Sequence, residues 1–239
     1  MASKESAAMG KAAREEKPSA HATLNDFLRK NRTFFIVLLV VLLAAVVIAA
    51  VWTIVDGRIS ASAAQALEKV EKSMQEWAKM DAGDASRSKG DELLAELDGV
   101  ASKYRRRYAG QKSLMLAGRV YESREDWESA GKKYLEAADR NPKSFLSYLA
   151  LQEAARSAEE RQDLQEAIRL WKRFVGTAPS TEVGMAHAYF ALGSIYEESR
   201  QYKEAGESYD KLLSAYPDND WTKLARDRII LLKSQGLIQ

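Results

Sequence analysis

Eight positions in the second half of this chain recur three times at unvarying internal spacing. Leu114, Ala117, Gly118, Tyr121, Ala130, Tyr134, Ala137 and Pro142 form the first set. Leu151, Ala154, Ala155, Ala158, Ala167, Trp171, Phe174 and Pro179 follow 37 residues later, and Tyr189, Leu192, Gly193, Tyr196, Ala205, Tyr209, Leu212 and Pro217 another 38 on. Such a period predicts stacked helix–turn–helix units, because one pair of helices cannot bury its own apolar face. Small residues at Gly118, Ala155 and Gly193 let the two helices of a unit approach closely. Tyr134, Trp171 and Tyr209 are bulky enough to fill the space under the next unit. Each Pro lies past the second helix and stops it. Composition agrees: 4 Pro and 13 Gly in 239 residues leave few breaks in a helical chain, and the absence of Cys excludes disulfides, thiolate metal sites and cysteine nucleophiles.

The pattern resembles the tetratricopeptide repeat, whose usual period is about 34 residues. The three or four extra residues fall after each Pro and are expected to lengthen the next first helix by about one turn. Repeats of this length, ending in sequences such as Tyr216-Pro217-Asp218-Asn219, resemble those of exported bacterial envelope proteins.

Before the repeats, residues 59–80 place Leu67, Val70, Met74 and Trp77 on one helical face, and residues 91–108 do so with Leu93, Leu94, Leu97, Val100, Ala101 and Tyr104. With the polar segment 81–90 as a loop, they read as a degenerate helix pair. After the repeats, Trp221 to Lys233 reads as a closing helix with Leu224, Ile229 and Leu232 inward. End units of a solenoid are expected to be atypical, since one face meets water.

A second feature stands apart. From Phe34 to Val55 there are 22 residues with no charge, Gly or Pro. At about 1.5 Å per residue this helix is long enough for a ~30 Å hydrocarbon layer. A cleavable signal peptide competes, with Ser60 to Ala64 as a cleavage mimic, but its apolar stretch is shorter and nearer the start. Arg29, Lys30 and Arg32 crowd one edge and Arg58 the other, so the positive-inside rule keeps residues 1–33 in the cytoplasm and exports the rest. The first twenty residues are too polar to fold. Thr23 to Leu28 reads as a short amphipathic turn leading into the span.

The expected architecture is therefore all-α: a tail at 1–33, a single transmembrane helix at 34–55, a degenerate pair and linker at 56–110, and three repeats with a capping helix at 111–239. About nine helices are expected, counting the anchor. This order resembles the bitopic bacterial ancillary subunits of the SecYEG translocon. That resemblance implies a periplasmic domain working beside the translocon and periplasmic chaperones.

Catalysis is not expected. His21 and His187 are far apart in the sequence and lie in different kinds of segment. GDELLAELDG and AGQKSLMLAG lack the spacing and the Lys-Ser/Thr ending of a phosphate loop. Glu159-Glu160 and Glu197-Glu198 fall at expected helix ends, as solvated charges. No metal, cofactor or nucleic acid is expected. Tyr104-Arg105-Arg106-Arg107-Tyr108 reads as the last turn of a helix with cations at its negative end, or as a contact for lipid phosphates or an acidic partner.

Function is instead expected on the first helices. The resemblance to tetratricopeptide arrays implies a concave groove lined by Lys112, Met115 and Arg119 in the first unit, Leu149, Gln152 and Arg156 in the second, and His187, Phe190 and Ser194 in the third. Such a surface suits a protein or peptide with acidic and apolar side chains. Met115 and Arg119 depart from the Lys/Asn clamp of cytosolic co-chaperones. Packing of some of these residues against neighbouring helices or a C-terminal segment is the competing reading. A membrane-tethered adaptor is the first functional expectation, and a structural subunit of a large envelope assembly the second.

Overall fold

The computed structural model describes residue 27, residues 29–81 and residues 83–239. Expectations for the polar tail, for His21 and for most of the turn before the span lie outside these. Among the described residues there are nine helices and no strand: α1 (Arg32–Trp77), α2 (Asp84–Lys103), α3 (Tyr108–Glu122), α4 (Trp127–Arg140), α5 (Phe145–Glu160), α6 (Leu164–Thr177), α7 (Met185–Glu198), α8 (Tyr202–Ala215) and α9 (Asp220–Ser234). The chain divides into two compact units, residues 1–58 and residues 59–239.

The first unit contains the start of α1. Its apolar side chains are exposed throughout: Val46, Ile48 and Trp52 each keep more than half of their surface. The helix is long and apolar enough to cross a membrane. Thr53 returns its hydroxyl to the Ala50 carbonyl at 2.8 Å, so this polar group is satisfied within the helix.

Segments 34–55 and 59–80, expected as separate helices, belong to one helix of 46 residues. Gly57 alone does not break it, because an isolated Gly costs a helix only about 1 kcal/mol relative to Ala.

In the second unit each helix from α2 onward packs against the next, and α9 packs on both α7 and α8. A smaller core joins Ala63, Leu67 and Val70 to Leu93, Leu97, Leu116 and Val120. The larger core runs from Leu114 through Tyr134, Leu151, Trp171 and Tyr209 to Leu232. The repeat frame predicts its members: Ala130, Tyr134, Ala137, Ala167, Trp171, Phe174, Ala205, Tyr209 and Leu212 are all buried. Close approach is measurable at two positions. A Cβ on Gly118 would lie 2.4 Å from the Tyr134 ring, and one on Gly193 2.3 Å from the Tyr209 ring.

The turn inside each unit repeats as well. Glu125, Gln162 and Arg200 adopt left-handed φ values of 58°, 60° and 59°. The next residue's N–H then reaches back to Tyr121, Ala158 or Tyr196, at 3.0, 2.9 and 2.8 Å. This closure satisfies a carbonyl that the helix end would leave open. Asp126 and Asp163 then cap the second helices, accepting from the Ser129 and Glu166 N–H groups.

Several boundaries differ from expectation. Most of segment 81–90 is helix, since α2 begins at Asp84. Arg105 and Arg106 lie in the turn after α2, and Arg107 is the N-cap of α3, so they are not a last helical turn. The residues after Pro142 leave α5 at 16 residues, one more than α3 and not a turn more. Those after Pro179 instead form turns before a 14-residue α7. In α9, Leu224 is exposed, while Thr222 and Ala225 turn inward with Leu232.

Candidate functional site: a cleft lined by the middle repeat

The face predicted as a groove is divided by the fold. In the first unit Met115 is buried in the core, so it is a packing residue and not a groove wall. Its neighbours on α3 differ: Lys112 is half-buried and Arg119 exposed. In the third unit the closing helix packs on two of the three predicted positions. Trp221 of α9 lies 4.6 Å from the His187 ring and 5.1 Å from the Phe190 ring, centroid to centroid. Ser194 is exposed and lines a separate cleft with Arg228 of α9 and Gln235, the residue after that helix.

The middle unit keeps its face open. Leu149, Gln152, Arg156 and His187 meet around a cleft of about 400 Å³, together with Glu153, Glu159, Glu160 and Trp171. Gln152 reaches across to Gly184, where a Cβ would lie 2.2 Å from its Oε1. His187 is half-buried, edge-on to Trp171 at 5.2 Å. Burial holds its imidazole below the ordinary 6.5. Its ring neighbours are the Trp171 and Trp221 indoles.

Sequence reasoning missed the carboxylates on this face. Glu122, Glu159 and Glu197 follow the repeat period, and each accepts a hydrogen bond from the aromatic residue 12 positions later. Tyr134 donates to Glu122 at 2.6 Å, Trp171 to Glu159 at 2.5 Å, and Tyr209 to Glu197 at 2.6 Å. Burial and these carboxylates push both phenols far above 10. Glu159 and Glu197 are therefore not the solvated helix ends that their positions suggested. Arg156 completes the first set by bridging Glu122 and Glu153, the latter at 2.8 Å. Arg228 completes the third by clasping Glu197. Burial raises the Glu159 pKa; the Trp171 hydrogen bond opposes this, while the charges of Glu160 and Glu198 add to it. Burial also raises that of Glu153, with Arg156 opposing.

Among the described residues no three His, Asp or Glu side chains are placed to hold a metal ion. The cleft offers carboxylates, an amide, a guanidinium, an imidazole, an aliphatic side chain and an indole wall.

Comparison with known proteins bears on the repeats. The tetratricopeptide-repeat family profile matches residues 186–219, which cover α7 and α8. A TPR repeat-containing protein of Treponema pallidum (strain Nichols) is 28% identical over 155 residues, 64% of this chain and 64% of that protein. The chain thus spans less than two thirds of that relative's length. Among solved structures, nearly identical TPR-like repeats from a Podosopora anserina chain assigned as a kinesin light chain superpose at a TM-score of 0.50. That match has 14% identity and covers 72% of this chain and 86% of that one. A fragment of MamA from Desulfovibrio magneticus RS-1 aligns at a TM-score of 0.47, with 16% identity over 71% of this chain and 94% of that one. At such identities the likeness is one of fold. The recurring frame, the all-helical packing and the profile match over residues 186–219 show a fold built of tetratricopeptide-like repeats.

Proposed function

We propose that this protein is a membrane-anchored adaptor that holds a partner protein against the cleft of its middle repeat, on the periplasmic side of a bacterial inner membrane. The cleft carries this reading: four of the nine groove positions predicted from sequence line it, and neither the closing helix nor the core fills it. The uncharged apolar run supports the tether. Its bulky side chains are unburied, and a lipid layer is the environment that such a surface requires. Arg29, Lys30 and Arg32 at one edge support a cytoplasmic N-terminal side. Tethering raises the local concentration of the groove, so modest contacts suffice to retain a partner. Association with the translocon is the version favoured by the architectural resemblance.

Topology and partner are tested together. The chain has no Cys, so Ala7→Cys and Ser234→Cys each give a unique thiol. Ser234→Cys is expected to react with a membrane-impermeant maleimide once the outer membrane is permeabilised, and Ala7→Cys only after lysis. The reverse pattern refutes the topology. Purification of the full-length protein in mild detergent is expected to recover a partner that Gln152→Trp excludes. Stoichiometric recovery of one large assembly, unaffected by Gln152→Trp, favours the structural-subunit reading instead.

A further inference from the structure

The chain supplies its own comparison for the middle carboxylate. Glu122, Glu159 and Glu197 occupy one place in successive units, and each accepts from a buried aromatic donor. In two cases an arginine from the helix after next also binds that carboxylate: Arg156 of α5 on Glu122 of α3, and Arg228 of α9 on Glu197 of α7. For Glu159 of α5 that helix is α7, and the place that Arg156 takes in α5 is taken there by Ser194. A serine is too short to stand in for a guanidinium. Among the described residues no cation forms an ion pair with Glu159. Arg156, the basic residue lining the cleft, is already held by Glu122 and Glu153. Burial penalises the Glu159 carboxylate and Glu160 and Glu198 add negative charge nearby, which the Trp171 hydrogen bond and the more distant Arg156 offset only in part.

We propose that this cleft binds an arginine side chain presented by a partner polypeptide, with Glu159 as the acceptor. The inference rests on the adaptor reading and names the chemistry that the adaptor selects. Arginine is favoured over lysine because both internal precedents use a guanidinium, whose planar fork donates two hydrogen bonds to one carboxylate. Trp171 bonds Oε1 of Glu159, as Tyr209 bonds Oε1 of Glu197 while Arg228 reaches both oxygens of that carboxylate, so a guanidinium fork finds the same acceptor pair here. Leu149 and His187 line the same cleft and offer apolar contact to residues flanking the arginine. A polypeptide is the occupant because the cleft is a segment of a face whose family binds proteins and peptides.

The Trp171 indole N–H reports directly on Glu159. In full-length protein with ¹⁵N-labelled tryptophan, its resonance is assigned with Trp171→Phe, and the probe is L-argininamide. The expected result is a saturable shift of the Trp171 resonance. L-citrullinamide, which has the same amine but a neutral side chain, should bind about tenfold more weakly or worse. Ser194→Arg, which supplies the missing arginine internally, and Glu159→Gln should each weaken argininamide by a similar factor. A shift of equal size with citrullinamide, no shift, or full binding by Ser194→Arg overturns the inference; if Ser194→Arg does not fold, full binding by Glu159→Gln overturns it in the same way. A photocrosslinker at Gln152 separates this from failure of the adaptor reading. Protein adducts without an argininamide response leave the adaptor standing and remove the arginine subsite. An argininamide response without protein adducts, or with adducts only to a second copy of this chain, overturns the partner polypeptide.

Discussion

The outer and middle repeats solve one packing problem in two ways. In the first and third units a Gly faces a Tyr ring, the Tyr hydroxyl bonds a Glu, and an Arg from the helix after next neutralises it. In the middle unit the Gly is replaced by Ala155, the ring is Trp171, and the Arg is missing. The outer sets are closed electrostatic units. The middle one is left charged and partly buried beside an open cleft. On the proposed reading, the middle repeat gives up this closure for binding.

The largest expected effect comes from filling a closed unit. Gly193→Leu drives a side chain into the Tyr209 ring, and overpacking of this kind costs about 1–3 kcal/mol. Gly176→Ala, where a Cβ meets nothing within 4 Å, should leave the melting temperature nearly unchanged. If Gly193→Leu melts like the parent protein, the repeat frame is wrong.

Removing the carboxylate charge should give different results in the two kinds of repeat. Glu197→Gln breaks its clasp with Arg228 and weakens the Tyr209 bond, and is expected to cost about 1–2 kcal/mol in chemical denaturation. Glu159→Gln keeps an acceptor for Trp171 and removes a charge that burial disfavours. It should be neutral or stabilising, within about 0.5 kcal/mol. Equal losses at both sites would erase the distinction between the repeats.

The same difference has a pH signature. Because burial raises the folded pKa of Glu159 above the ordinary 4.5, the folded state binds the proton more tightly than the unfolded chain. Its contribution to stability therefore falls as pH rises from 4.5 through the folded value. His187 acts in the opposite sense: its folded pKa lies below 6.5, so acidification through that window removes stability. Melting curves against pH should lose part of the first slope in Glu159→Gln, Glu153 keeping the remainder because burial raises its pKa too, and should lose the second in His187→Gln.

The smallest effect should be common to all three units. Glu125→Gly, Gln162→Gly and Arg200→Gly relieve a left-handed conformation that disfavours other residues by about 1–2 kcal/mol, against an entropic loss of about 0.5–1 kcal/mol. Similar gains of about 0.5 kcal/mol are expected at each, measured by thermal melting. A gain confined to one repeat would show that the turns are not equivalent.

The helical frame is legible in the sequence because small, aromatic and Pro positions recur at fixed spacing. The carboxylates recur too, but a Glu near a helix end is the residue expected in water. Only its constant distance of 12 residues from the buried aromatic marks it. The left-handed turns are hidden because they contain no Gly. Met115 lies in the core and not on the groove because an apolar residue fits either place, and only the packing of neighbouring helices decides between them. Coverage of His187 and Phe190 by Trp221 depends on the register of the closing helix, where Ala225 and not Leu224 turns inward. The middle-unit positions are legible because an intact repeat stands on either side of them.

Site-specific photocrosslinking of the full-length protein in membranes tests the middle cleft most directly. A photoreactive residue at Gln152, in that cleft, is compared with one at Lys211, exposed on α8. Discrete protein adducts are expected from Gln152, several-fold above those from Lys211 and competed by soluble argininamide. Equal or stronger capture from Lys211 would place the working surface on the other helices and contradict the role assigned to the middle repeat.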